Sequence, residues 1–216
     1  QELIAQQVML TKSSGLTYEY TAKQLDTVTK LVQLAGLSNE EAAKMQEYSD
    51  LTGVSTEDIY DNIAGSNKSI INNNKVMKET MRVSGRLRLN YKASPHLISK
   101  AVIQANKLGM SLEQAAKASE SLLDFESSIE SELKAELLTG MNLNLEKARY
   151  LALQGKSAEA AEEMMKNLGP NGLQKFQRMN VLQQKAIAES MGMTADELSE
   201  SLIKQKRYND LGSVAK

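Results

Sequence analysis

The chain contains no cysteine, so it can form neither disulfides nor thiolate metal sites, and it has no thiol nucleophile. It has a single histidine, His96, which excludes a helical di-metal carboxylate centre, because that site takes a Glu-x-x-His from each of two helices. Tryptophan is absent and phenylalanine occurs only twice. A core must therefore rest on Leu, Ala, Ile and Met, residues that suit helices. No apolar run approaches the ~18 residues of a membrane span. No G-x-G-x-x-G or Walker-type phosphate loop occurs, and the acids between residues 50 and 61 lack the spacing of a calcium loop.

What is present is ordinary in quantity and uneven in placement. The 216 residues carry a net charge of −1, which gives no global reason to bind nucleic acid or an anionic membrane. Lys75, Lys78, Arg82, Arg86, Arg88 and Lys92 face a single Glu79 in sequence, and six carboxylates from Glu120 to Glu136 face Lys134. Two such blocks either meet within a fold or between copies, or remain solvated faces. The 11 methionines read as adaptable core filler rather than a metal box. The first residues, QELIAQQVML, lack a basic region followed by an apolar core and do not read as a signal peptide. The chain looks like a piece of a longer protein.

A corner device recurs: Gly, an apolar residue, then Ser or Thr with an acid or amide three positions on. It occurs as Gly36-Leu37-Ser38 with Glu41, Gly53-Val54-Ser55 with Asp58, Gly109-Met110-Ser111 with Gln114, and Gly192-Met193-Thr194 with Glu197. Gly ends one helix in the left-handed conformation and the hydroxyl caps the next. Gly140 is a weaker case, with its cap at Asn142 or Asn144. Between corners the pattern predicts a frayed helix over 2–12, a break at 13–15, and helices over 17–35, 39–51, 56–64, 112–138, 145–154, 158–168, 173–178, 181–191 and 195–209. Gly65-Ser66-Asn67 marks a break, and the asparagines at 72–74 weaken any helix between 68 and 83. Residues 97–108 show a clear helix face.

The fold class expected is all-α, a compact array of helices joined by Gly-cornered hairpins. Residues 86–92, RLRLNYK, alternate with period two and form the one strand candidate; the other reading is an irregular basic linker. The expected division is an N-terminal helical region, 1–92, and a better defined helical domain, 93–216.

Residues 122–149, LLDFESSIESELKAELLTGMNLNLEKAR, are the most informative stretch. Leu122, Phe125, Ile129, Leu133 and Leu137 recur at spacings of three and four, predicting one buried helix face with Ile129 inside it. Glu126 with Glu130, and Glu132 with Glu136, form i, i+4 carboxylate pairs. They read as a solvated face, since no apolar pocket is evident to separate their pKa values.

This stretch, continued by GKSAEAAEEMMKNLG and FQRMNVLQQKAIAESMGMTADEL and preceded by IQANKLGMSLEQAAKASES, resembles tail tape measure proteins of tailed bacteriophages over roughly residues 95–203. The resemblance implies a virion structural protein that helps set tail length, occupies the tail tube and leaves it ahead of the DNA. It implies other tail proteins, or further copies of the chain, as partners, with the phage tail and the host cytoplasm as locations. A ruler is expected to be one long helix, whereas glycines punctuate this chain, so a folded domain carried by a longer ruler fits better. No catalytic, cofactor-binding or metal-ligating residue is expected, nor a small-molecule substrate, specific nucleic acid or membrane. The alternative is a helical adaptor that seats a partner helix or peptide in an apolar Met/Leu groove.

Overall fold

Ser38 and Glu41 show how the corners work. The backbone turns left-handed at Gly36 (φ 62°), the Leu37 N–H donates to the Leu31 carbonyl, and the Ser38 and Glu41 side chains each accept the other's backbone N–H. The computed structural model describes Thr11, residues 21–67 and residues 69–214. Ser111 with Gln114 and Thr194 with Glu197 cap their helices in the same manner, whereas Ser55 accepts the Asp58 N–H and donates its hydroxyl to the Asp58 carboxylate. At the fifth corner Asn144 accepts from the Glu146 N–H. The frayed helix expected over 2–12 and the break at 13–15 lie outside the described residues, apart from Thr11.

All regular structure among the described residues is helical. The first helices are α1 (Ala22–Ala35), α2 (Asn39–Thr52), α3 (Thr56–Ser66), α4 (Asn73–Arg82), α5 (Gly85–Asn90) and α6 (Pro95–Lys107). There follow α7 (Leu112–Ser121), α8 (Phe125–Thr139), α9 (Glu146–Leu153), α10 (Ser157–Lys166), α11 (Gly172–Arg178), α12 (Val181–Ser190) and α13 (Ala195–Val214).

The chain divides into two units, the first holding residues up to Arg82 with Ala93–Ser99, the second Val83–Lys92 with everything from Lys100. In the first, α2 packs against α1, α3 and α4, and Val28, Met45, Ile59, Ile63, Val76 and Met77 are buried. Glu41 ties α2 to α4 through Arg82 at 2.7 Å and Lys78 at 3.7 Å, and the Tyr48 hydroxyl donates to the Ala93 carbonyl at 2.5 Å.

In the second unit α10 buries Ala158, Ala160 and Ala161, small side chains that let α7 and α9 approach closely. Helix α8 packs on α12, and α12 and α11 each pack on α13. Two glycines are required by contact as well as by conformation. A Cβ on Gly109 would overlap the Ser201 carbonyl of α13, and one on Gly192 would overlap the Ser121 hydroxyl of α7.

Three expectations are corrected. Residues 86–92 contain no strand: α5 is helical because Leu87 and Tyr91, four apart, are both buried, while Leu89, which strand alternation would bury with Leu87, is exposed. The helix expected over 112–138 is two helices. α7 ends at Ser121, Leu122 turns into the core, and Asp124 caps α8 by accepting the Ser127 N–H at 3.4 Å. Helix α3 runs two residues past its expected end, to Ser66, so the break expected at Gly65-Ser66-Asn67 begins at Asn67.

Candidate interaction surface

The apolar face expected to be buried on α8 is at the surface. Leu122 is buried, but it lies outside the helix; Phe125 and Ile129 are half exposed, Leu133 is 60% exposed and Leu137 87%. The cause is helical geometry. A residue every four positions sits about 40° further round the helix than the last, so the row from Phe125 to Leu137 winds about 120° and cannot stay against one neighbour. Its start flanks the packed side and its end faces away. The side that does pack presents the small residues Ser128 and Ala135.

Helices α8 and α12 run antiparallel. The Gln183 side chain donates to the Leu138 carbonyl at 2.8 Å, and Lys134 pairs with Glu189 at 3.1 Å. Val181 and Leu182, both largely exposed, therefore lie at the end of α8 that carries Leu137 and Leu138.

The carboxylate pairs separate. Glu132 and Glu136 are not solvated as expected: Glu132 accepts the Leu145 N–H at 3.0 Å and pairs with Arg149, and Glu136 accepts the Leu143 N–H at 2.7 Å. They fold the 140–145 loop back onto α8, so that Leu143 and Leu145 are buried. Arg149 also donates from Nε to the Ser128 hydroxyl at 3.0 Å. These anchoring roles depend on partners far along the chain, and no local signal in the sequence identifies them. Glu126 and Glu130 remain exposed beside the row, as expected.

The opposed charge blocks meet in the second unit at one pair, Arg86 with Glu120. Lys78 and Arg82 are taken by Glu41 instead.

Tyr91 is strongly perturbed. Burial pushes its phenol up to about 12, and nearby Glu159 adds to the shift. The neutral hydroxyl accepts the Ala158 N–H at 3.3 Å, in the first turn of α10, where Lys156 supplies no side-chain cap.

In the first unit, a cleft of about 280 Å³ lies between α1 and α3, lined by Thr27, Lys30, Leu31, Thr56, Glu57, Tyr60 and Asp61. The Lys30 ammonium there pairs with Asp26 at 2.8 Å, and the cleft's volume lies just below the range of ordinary ligand sites. Among the described residues no cluster of His, Asp and Glu has the arrangement to hold a metal ion, and His96 is exposed at the start of α6. No described helix is long and apolar enough to cross a membrane. No protein-family model, curated protein or solved structure matches the chain.

Proposed function

We propose that the chain is a non-enzymatic docking domain of a phage tail tape measure protein, folded and carried by a longer ruler, and engaging other tail proteins during assembly and genome ejection. The observation that carries this reading is the exposed apolar row of α8. It lies in the very stretch, 122–149, in which the resemblance to tape measure proteins is strongest. A monomeric protein rarely leaves such a row uncovered without a use for it. The chemistry around it fits binding rather than turnover, because the nearby carboxylates are either solvated or spent on backbone N–H groups and Arg149.

Chemical cross-linking of purified tails, followed by mass spectrometry, tests the assignment. Lys134 and Lys185, which border the α8 and α12 pair, are expected to cross-link to other tail proteins. Absence of the chain from purified virions contradicts the reading.

A further inference from the structure

We propose that the α8 row seats a basic amphipathic helix from another protein, crossing α8 at a steep angle. This rests on the reading of α8 as a docking face and names the chemistry of what docks there.

The first argument is charge. On the helix, Glu126 sits about 20° from Leu133 and Glu130 about 20° from Leu137, so both carboxylates border the apolar row. Among the described residues, no hydrogen bond or ion pair engages either one. The one cation of α8, Lys134, is held by Glu189 at 3.1 Å. The border of the row is therefore net negative and ready to pair. A partner with Lys or Arg flanking its apolar face gains two charge contacts on docking. A second copy of α8 would bring the same carboxylates together, and an anionic lipid surface would be repelled.

The second argument is geometry. Residues spaced by four form a helix's i±4n ridge, inclined about 26° to its axis, and two such ridges interdigitate when the helices cross at about 50°. A shallow coiled-coil crossing needs alternating spacings of three and four, which the exposed row lacks. Val181 and Leu182, both exposed on α12, lie at the same end of the helix pair as Leu137.

The test uses the whole chain and two labelled helical peptides. One has leucines at i, i+4 spacing flanked by lysines, and the other has the same leucines flanked by glutamates. Fluorescence anisotropy at physiological salt should show saturable binding of the lysine peptide alone. Leu133→Ser with Leu137→Ser should weaken that binding by about tenfold or more without moving the thermal melt. Glu126→Gln with Glu130→Gln should weaken it too and reduce its salt dependence. If both peptides bind alike and the serine variant abolishes both, the docking face stands and the basic partner is wrong. Unchanged binding in the serine variant, or none by the native chain, overturns the face itself. Concentration-dependent dimers in sedimentation that Leu137→Ser abolishes, or co-sedimentation with phosphatidylglycerol vesicles, overturn the proposal in favour of a second copy or a membrane.

Discussion

Arg149 on α9 and Glu132 on α8 form an ion pair whose side chains are only 11% and 13% exposed. The pair closes the loop between the two helices. Arg149 also reaches Ser128, one turn before Glu132, so a single guanidinium fixes the rotation of α8. With α8 held in that rotation, Ser128 and Ala135 face inward and the leucine row faces out.

Arg149→Met therefore leaves a largely buried carboxylate without its cation. It should cost about 3 kcal/mol in urea denaturation. Adding Glu132→Gln, which keeps an acceptor for the Leu145 N–H, should recover a large part of that loss. A double variant as unstable as the sum of the two singles contradicts the coupling.

The exposed row gives the reverse of what its spacing predicts. Ile129→Asp and Leu137→Ser should each change stability by less than about 1 kcal/mol, the range of surface substitutions. Ile187→Ser, at a fully buried position of α12, should cost several times more through its cavity and its unmatched hydroxyl. Equal losses at Ile129 and Ile187 would mean that the row is packed.

Tyr91→Phe removes the acceptor of the Ala158 N–H and should cost about 1–2 kcal/mol. The native phenol also sets an alkaline limit. Its folded value, about 12, lies above the ordinary 10.0, so its contribution is complete below pH 10 and is lost as pH rises through 12. Ultraviolet titration should show a late-ionising tyrosine that Tyr91→Phe removes, ionising together with unfolding.

Glu41 sets an acid limit in the first unit. Burial pushes its carboxyl up, but the Ser38 N–H, Lys78 and Arg82 outweigh burial and hold it below the ordinary 4.5. Its contribution is complete above 4.5 and is lost as pH falls through the lower folded value. Melts from roughly pH 6 to pH 3 should fall less steeply in Glu41→Gln than in the native chain, after allowing for the variant's lower starting stability. Parallel profiles would remove Glu41 from the acid transition.

The corners were legible because their signal is local. Gly109, Ser111 and Gln114 lie within six positions and meet through backbone geometry alone. The all-α class followed from them and from the helix-forming composition. Residues 86–92 misled because Leu87, Leu89 and Tyr91 satisfy strand alternation while Leu87 and Tyr91 also satisfy i, i+4. Only the burial of those two, with Leu89 left out, separates the patterns. The α8 row misled because four-residue spacing imitates a helix face over two turns and drifts off it over four. Glu132, Glu136 and Tyr91 were illegible as anchors because what they hold, from the 143–145 loop to Ala158, comes together only in the folded chain.

The proposed place of this domain, carried by a ruler without being part of it, is tested most directly by tail length. As one unbroken helix, 117 residues would span ~175 Å at about 1.5 Å per residue. In-frame deletion of residues 93–209 from the encoding phage should shorten tails in electron micrographs by far less than that. A shortening near the full ~175 Å would mean that these helices unravel into the ruler, and would contradict the account.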